Sequence, residues 1–214
     1  MNPLLSSITK NAIGLSLFAF FTAGVVAITQ HSTSAQIDHN IRLAQAKALN
    51  QIVPTGSYDN DILNDKIDLS GLDTSLLGAV KAPFAQVARS NGHIHTVLIP
   101  AIAPDGYTQE IALLVGINED GSLAGVRITE HRETPGLGDK IDIKKSDWVT
   151  TFQGHSLINT STENWAVKKD NGSFDQFTGA TITPRAVVKA VHKALLFSQQ
   201  HHELLFNNAS SQGE

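Results

Sequence analysis

The feature that most constrains this chain is a long run without charge near its amino terminus. Residues 11–37 contain no Asp, Glu, Lys or Arg, and within them residues 12–28 read AIGLSLFAFFTAGVVAI. A helix of about 20 apolar residues is long enough to cross a hydrocarbon core of roughly 30 Å. We therefore predict a transmembrane anchor over residues 11–30, preceded by a short cytoplasmic tail, residues 1–10.

A cleaved signal peptide is the alternative, with STSA at residues 32–35 as a poor cleavage site. The apolar run exceeds the usual core of a signal peptide, which favours an uncleaved anchor. The short leading tail favours a cytoplasmic amino terminus and a body outside the cytoplasm. The basic residues specify this orientation only weakly, with Lys10 on one side and Arg42 and Lys47 farther away on the other.

Beyond the anchor, the chain is predicted to continue as a juxtamembrane amphipathic helix over residues 31–54. Apolar side chains recur at helical spacing at positions 37, 41, 44, 48 and 52, and Pro54 then ends the helix. The next segment, residues 58–73, carries five Asp against one Lys and lacks the residue order of a calcium loop. We predict a solvated loop with a short helix there.

The body, residues 55–206, is predicted to be α+β, a single domain with an antiparallel sheet and flanking helices. Residues 95–129 combine β-rich runs with turn signals at Asp105-Gly106 and at Glu119-Asp120-Gly121. This alternation is typical of an antiparallel meander. Residues 130–140, which are rich in Gly and Pro, are predicted to form a loop.

A helical pattern follows the strands, and the residues at its start suit a helix entry. Thr183 is a good N-cap residue, and Pro184 fits the first helical position. Three shorter segments complete the prediction: a capped helix over residues 146–152, a strand over residues 165–168 with its turn at Asn171-Gly172, and a disordered tail over residues 207–214.

Composition excludes several classes of function. The 214 residues include no cysteine, which rules out disulfides, thiolate zinc sites, iron–sulfur clusters and thioether-linked haem. Redox chemistry would therefore need an organic cofactor or a His/carboxylate metal site. A net charge of −4 argues against nucleic acid as a main partner, because phosphate backbones bind clustered basic residues.

The segment DQFTGATITPRAVV, residues 175–188, places Thr178, Thr181 and Thr183 around Gly179-Ala180 at the helix entry. One interpretation is a plain strand-to-helix connection, in which the small residues turn the chain and the threonines cap the helix. The other is an anion site, because free N–H groups and the helix dipole favour a phosphate there. The segment matches neither a P-loop nor a nucleophile elbow, and its residues alone leave both interpretations open.

Residues 175–181, Asp-Gln-Phe-Thr-Gly-Ala-Thr, resemble the flavinylation signature Asp-x-x-Ser/Thr-Gly-Ala-Thr. Proteins with that signature hold FMN covalently, through a phosphoester between the flavin phosphate and the last threonine hydroxyl. The resemblance implies that Thr181 carries FMN and that Thr178, Gly179 and Ala180 belong to the site. It also implies that a separate magnesium-dependent flavin transferase makes the bond from FAD.

A second motif, Glu133-Thr134-Pro135-Gly136-Leu137-Gly138, resembles a loop that lies against the bound flavin in the same family. It implies that Glu133, Thr134, Gly136 and Leu137 line the FMN site without making the covalent bond. The two polar side chains offer hydrogen-bonding groups, and the glycines allow close backbone approach to a flat ring. Without a flavin, the same residues would be read as an ordinary surface turn.

The anchor and both motifs, in this order, together resemble the G subunit of the bacterial Rnf (also called Rsx) ion-translocating electron transport complex. The resemblance implies a membrane-anchored electron carrier with covalent FMN and no substrate turnover of its own. It implies other membrane subunits as partners, and an inner-membrane location with the bulk of the chain in the periplasm. The C subunit of the sodium-pumping NADH:quinone reductase is similar but usually longer, so the length favours the Rnf type.

Two classes without a flavin stay open on the residues alone. A metal-binding module would use His93 and His95, which strand alternation places on one face, although a third ligand is lacking. An anchored structural protein without a cofactor is the other class. The colour of the purified protein separates these classes from a flavoprotein.

Overall fold

The computed structural model describes residues 3–80 and 83–207, and the chain divides into two compact units, Met1–Gln45 and Ala46–Glu214. A long first helix, α1, covers Pro3–Ile52. The predicted disordered tail, residues 207–214, lies outside the described residues except for residue 207.

The first unit contains the apolar helix that the sequence predicts. Residues Lys10–Ser34 form a stretch of 25 residues with a mean hydropathy of 2.1, none of it buried, which is long and apolar enough to cross a membrane. Thr22 and Thr29 donate their hydroxyls to the backbone carbonyls of Phe18 and Val25, each one turn earlier, at 2.9 and 2.8 Å. Such bonds satisfy these polar groups inside the helix.

The second unit is a five-stranded sheet with helices and short turns around it, which confirms the α+β prediction. Its strands are β1 (Lys66–Asp68), β2 (Phe84–Ser90), β3 (His93–Ala103), β4 (Ile111–Asn118) and β5 (Leu123–Glu130). Two helices follow, α2 (Ile182–Gln200) and α3 (His202–Phe206). Five single 3₁₀ turns lie between these elements, at Ser75–Leu77, Gly138–Ile141, Trp148–Phe152, Thr162–Asn164 and Lys168–Asp170.

The strands pair in sequence order and are antiparallel throughout, so the predicted meander is confirmed. The predicted turns at Asp105-Gly106 and at Glu119-Asp120-Gly121 connect β3 to β4 and β4 to β5. Gly121 takes a φ of +79°, which glycine tolerates without strain. The sheet also has two strands that the sequence analysis missed, β1 and β2, because their short and partly polar stretches carry little periodic signal.

The two faces of the sheet pack against different helices. On one face, α2 buries Val187, Val191 and Leu195 in the main core together with inward-facing residues of β3 and β4 such as Val97 and Val115. The other face carries a second, smaller cluster. It is built from the last residues of α1 and the segment after it, Leu49, Ile52, Val53 and Ile62, on Ala88, Leu98 and Leu114 of the sheet.

The last turns of α1 are part of the domain, because they cover this second face. The compact unit begins at Ala46, whereas the sequence placed the start of the body at residue 55. Arg127 on β5 donates from Nε to Gln51 Oε1 and from Nη2 to the Gln51 carbonyl, at 3.1 and 2.7 Å. A cation on one of the last carbonyls stabilises a helix carboxyl end.

The acidic segment 58–73 is not the solvated loop with a short helix that its charge predicts. It contains the edge strand β1, and the Asn60 side chain bonds to β2 as a backbone would, with Nδ2 donating to Val87 O and Oδ1 accepting from Arg89 N, both at 2.9 Å. Asp65 pairs with the largely buried Arg89 at 2.8 Å. These partners lie 24 or more residues apart in the sequence, so a local reading misses them.

The predicted strand over residues 165–168 is wrong, whereas the predicted helix over residues 146–152 exists as a 3₁₀ turn. Residues 162–170 form two 3₁₀ turns, and only one bridge, Val167 to Phe174, resembles strand pairing there. The predicted turn at Asn171-Gly172 is present, with Asn171 at a φ of +65°. A Cβ at Gly172 would lie 1.9 Å from the Ala166 carbonyl oxygen, so the chain folds tightly back on itself instead of extending.

A glycine on β4 makes room for the end of α1. A Cβ at Gly116 would lie only 2.3 Å from Ile52 Cγ2, whereas a Cβ at Gly125, its cross-strand partner, would lie at an ordinary 3.6 Å from the same atom. Ile52 itself is almost fully buried. The Ile52 side chain therefore occupies the space that a side chain at Gly116 would need.

We expect Gly116→Ala to lower the free energy of unfolding by about 1–3 kcal/mol, because the added methyl overpacks the contact with Ile52. Gly125→Ala is the matched control and should change it by less than about 0.5 kcal/mol. The measurement is urea unfolding of a chain that begins at Ala35 and so keeps the whole compact unit. The double variant Gly116→Ala/Ile52→Ala should lose less stability than the sum of the losses in the two single variants, because Ile52→Ala removes the overpacked contact. Equal effects of the two glycine substitutions would contradict the packing assigned to Ile52.

Candidate flavin site

The two sequence motifs lie side by side at the start of α2. Thr183 on the first turn of α2 donates its hydroxyl to Glu133 Oε2 at 2.5 Å, although 50 residues separate them. Leu137 Cδ2 lies 3.4 Å from the point where a Cβ at Gly179 would stand. The structure thus brings together the loop 133–138 and the segment 175–181.

The segment before the helix makes a tight turn. Ala180 N donates to Phe177 O at 3.1 Å, and Gly179, the third residue of this four-residue turn, has a φ of +81°. This is the position at which a type II turn requires glycine. Thr178 and Gly179 are exposed and Ala180 is half-buried, so the turn offers its backbone to the surface.

The helix starts two residues earlier than predicted. Its N-cap residue is Thr181 and not Thr183, and Arg185 N donates to Thr181 O at 3.4 Å. Thr183 lies inside the first turn, where its hydroxyl is committed to Glu133. The half-buried Thr181 makes no side-chain capping bond within the described part of the chain, so its hydroxyl is not used by the helix.

Glu133 joins three elements of the site through the two oxygens of one carboxylate. It is 4% exposed, and besides the Thr183 hydroxyl it accepts the N–H of Thr108, in the turn between β3 and β4, at 3.1 Å. A buried carboxylate is costly unless hydrogen bonds replace its water. Gly138 permits this packing, since its Cβ would lie 2.8 Å from Thr183 Oγ1 and 2.9 Å from Glu133 Oε2.

The loop around Pro135 is held by its own backbone. The Thr134 carbonyl accepts the N–H groups of Leu137 and Gly138, both at 3.1 Å, and Gly136 N donates to Asp139 Oδ1 at 2.8 Å. Gly136 has a φ of +77°, with open space on its side-chain side. The loop is therefore ordered, and the surface beside Gly136 is free of side chains.

Aromatic side chains on the interior side of the segment 175–178 contact it and hold it in place. Trp148 donates its indole N–H to Asp175 O at 2.8 Å and meets the Phe177 ring edge-on, with centroids 5.1 Å apart. Phe152 lies edge-on to Trp148 at 5.3 Å and stacks on Phe174 at 4.6 Å. Such contacts add to the hydrophobic stabilisation of the core and fix the position of the turn.

Two cations near the motif, Lys168 and Arg185, are paired with carboxylates. Lys168 contacts Asp175 at 2.7 Å, and Arg185 binds Asp170 through Nε and Nη2 at 2.5 and 2.6 Å. The bidentate bond to the guanidinium lowers the pKa of Asp170 and raises the pKa of Arg185. All four side chains are at least partly exposed, so these pairs can be exchanged for a phosphate at little cost.

Two contributors escaped the sequence analysis. Thr108 enters the site through its backbone N–H, which any residue but proline supplies, so no residue type signals it. Trp148 acts through a single bond to a backbone carbonyl 27 residues away. A tryptophan between the two motifs was the only available signal.

The alternative metal site at His93 and His95 gains no support. His93 Nε2 lies 2.9 Å from Glu119 Oε2, and His95 Nδ1 lies 2.9 Å from Thr96 Oγ1. Among the residues that the structure describes, no group of three or more His, Cys, Asp or Glu side chains could hold a metal ion.

These features fit a phosphate ester of a flat cofactor such as FMN. The helix amino terminus favours an anion, the hydroxyl of Thr181 makes no capping bond within the described residues, and the residues before it are small. The site lies on the surface, so a cofactor there would remain within reach of other proteins.

Comparison with known proteins agrees with this geometry and defines the class. Residues 106–196, which contain both motifs and most of α2, match the family described as the FMN-binding domain. Residues 1–52, the span that ends with α1, match the family described as the RnfG N-terminal region.

Curated relatives resemble the chain over nearly its whole length. The G subunit of the ion-translocating oxidoreductase complex of Pseudomonas aeruginosa is 48% identical over 199 residues, 93% of this chain and 92% of that protein. The G subunit of the same complex from Vibrio vulnificus is 44% identical over 204 residues, 95% of both chains. The chain therefore belongs to the family of G subunits of ion-translocating oxidoreductase complexes.

We expect Thr183→Val to lower the free energy of unfolding by about 1–3 kcal/mol, because the buried Glu133 carboxylate loses a donor that nothing replaces. Thr183→Ser keeps the hydroxyl and should recover most of that loss. Thr178→Val is the matched control on the exposed turn, with an expected change within about 0.5 kcal/mol. Urea unfolding of the three variants measures this, and equal stability of the Val and Ser variants at position 183 would contradict the role given to Glu133.

Proposed function

We propose that this chain is the FMN-carrying electron-transfer subunit of a membrane-bound, ion-translocating oxidoreductase complex, with FMN esterified to Thr181. The observation that carries the proposal is the unused hydroxyl of Thr181 at the amino terminus of α2, inside a complete flavinylation signature. Membership of the G-subunit family and the match to the FMN-binding domain support the class of function.

The surroundings of the three threonines favour Thr181 as the attachment point. Thr183 is buried and its hydroxyl is bound to Glu133. Thr178 is exposed on the turn that precedes the helix and is not its N-cap residue. Thr181 alone combines a half-exposed, uncommitted hydroxyl with the helix end that stabilises a phosphate.

The proposed attachment reaction transfers the FMN part of FAD to the hydroxyl of Thr181. The Thr181 hydroxyl loses its proton and forms a bond to the phosphorus on the flavin side, while the pyrophosphate bond breaks and AMP leaves. The proposed catalyst is a separate magnesium-dependent flavin transferase. An exposed turn of small residues, Thr178 to Ala180, suits its approach.

Bound FMN would supply one- and two-electron redox chemistry, and the chain would supply its position and surroundings. Thr134, Gly136 and Leu137 would form the wall beside the attachment point, with the buried Glu133 holding their loop in place. Thr178, Gly179 and Ala180 would form the approach. The sequence contains no Gly-x-Gly-x-x-Gly dinucleotide fingerprint, which suits a relay that receives electrons from another subunit.

The apolar anchor supports a location in a membrane. We place the chain in the bacterial inner membrane as a single-pass protein, with the span Lys10–Ser34 in the bilayer and the flavin domain on the periplasmic side. Its proposed partners are the other membrane subunits of the complex. The matches cover 92–95% of the length of the related G subunits. This supports the G-subunit type over the C subunit of the sodium-pumping NADH:quinone reductase, which is similar but usually longer.

We expect Thr181→Val to abolish covalent flavin while leaving the fold intact, because valine has the same shape and no hydroxyl. The full chain is produced together with the flavin transferase, and flavin is detected by fluorescence of the denatured protein in a gel and by intact mass.

Thr178→Val and Thr183→Val are matched isosteric controls, and both should retain flavin fluorescence. Fluorescence that persists in Thr181→Val would place the attachment elsewhere. A colourless wild-type protein, made with an active transferase, would favour an anchored protein without a cofactor.

A further inference from the structure

We propose that Tyr107, Leu137 and Ile182 form the apolar seat of the flavin ring, an inference that rests on FMN attachment at Thr181. These side chains are 66%, 42% and 46% exposed. A single exposed apolar residue needs no explanation, but these three come from three separate elements that hydrogen bonds of Glu133 and a contact of Leu137 hold side by side. Tyr107 and Ile182 belong to neither sequence motif.

Glu133 brings the elements of the seat together. Its two oxygens accept the N–H of Thr108 at 3.1 Å and the hydroxyl of Thr183 at 2.5 Å. Tyr107 immediately precedes Thr108, and Ile182 immediately precedes Thr183. Each of these exposed apolar residues therefore precedes a residue that is bonded to the same buried carboxylate, and Leu137 lies four residues after Glu133 in the same loop.

The turn that bears Tyr107 is held by close packing at Gly106 and by the bond of the Thr108 N–H to the buried Glu133. A Cβ at Gly106 would lie 2.0 Å from the Gln109 carbonyl oxygen, so the turn closes tightly on itself. Asp105 forms an ion pair with Lys189 on α2 at 2.6 Å, and the hydrogen bond and positive charge of that lysine lower the pKa of Asp105. An aromatic ring on an immobilised turn can stack on a flat ligand with little loss of conformational entropy.

The seat is within reach of a flavin tethered at Thr181. Ile182 directly follows Thr181, and Leu137 Cδ2 approaches the Gly179 position to 3.4 Å. A short tether gives the attached ring a high effective concentration at neighbouring surfaces. Covering exposed apolar side chains with the apolar faces of the ring then removes both from water, which is favourable.

Two cavities of the domain are less suitable for the ring. One, of about 200 Å³, is lined by Leu195, Ser198 and His202. Ser198 lies 17 residues after Thr181 on α2, which at 1.5 Å per residue is about 25 Å away. The other, of about 190 Å³, is lined by apolar side chains such as Ile102 together with the carboxylates Glu110 and Glu130. Both are smaller than the roughly 300 Å³ at which ligand pockets begin.

The experiment uses the full chain matured by the transferase, in detergent, and records the lifetime and anisotropy of flavin fluorescence. A ring on the seat tumbles with the protein and is quenched by the neighbouring tyrosine. Tyr107→Ser should shift the ratio of docked to undocked ring about fivefold towards the undocked form, the size expected for loss of one aromatic stack. The fluorescence yield should rise and the anisotropy should fall.

Ile182→Ser keeps the tyrosine but weakens the seat, so it should lower the anisotropy as well and separates loss of docking from loss of a quencher. Tyr107→Phe keeps the ring and should retain wild-type anisotropy. Ile158→Ser, at the 89% exposed Ile158, and Tyr58→Phe, at the only other tyrosine, are controls that should change neither signal.

Wild-type lifetime and anisotropy in both Tyr107→Ser and Ile182→Ser, with covalent flavin present, would overturn the seat. If those variants instead lose electron transfer only within the complex, the three residues form a protein-docking surface, which also overturns it. Should Tyr107→Ser not accumulate, Ile182→Ser decides alone by the same criterion. Failure of the attachment is seen separately, as a wild-type protein without flavin after denaturation.

Discussion

The site depends on one buried carboxylate. Glu133 has almost no contact with bulk water, so its charge is stable only if donors replace that water. The donors come from Thr108, 25 residues earlier, and from Thr183, 50 residues later. Folding can satisfy Glu133 only by bringing the turn after β3, the loop after β5 and the start of α2 together, so the same bonds that stabilise the carboxylate assemble the site.

The sheet provides the platform on which this junction rests. Its core face packs on α2, which fixes the position of the helix amino terminus, and its other face packs on the end of α1 through Ile52 and Gly116. Both faces of the strands are therefore covered by helices. A domain that began at residue 55 would lack Leu49, Ile52 and Val53 and would expose Leu98 and Leu114. The last turns of α1 are therefore part of the hydrophobic packing of the domain.

Sequence patterns predicted the features that depend on neighbouring residues. The apolar helix, the meander with its two turns and the helix after residue 181 all follow from periodicity and turn chemistry. Two of the failures share one cause, which is a partner distant in sequence. Thr183 has the residue type of an N-cap, but Glu133 takes its hydroxyl, and the helix begins at Ile182 with Thr181 as its cap. The acidic segment has the composition of a solvated loop, but Arg89 and the β2 backbone bind Asp65 and Asn60.

An open surface site explains why a covalent bond is useful in the proposed arrangement. Ligand pockets usually bury roughly 70–90% of a small ligand, and the turn and loop around Thr181 offer no such enclosure. Burial alone would hold a flavin there weakly, and a flavin lost from the periplasmic side could not be replaced from a cytoplasmic pool. The proposed phosphoester would remove that association equilibrium, so the surroundings would need only to orient the ring. The ring can then keep an exposed edge, which an electron relay requires in order to meet its partners.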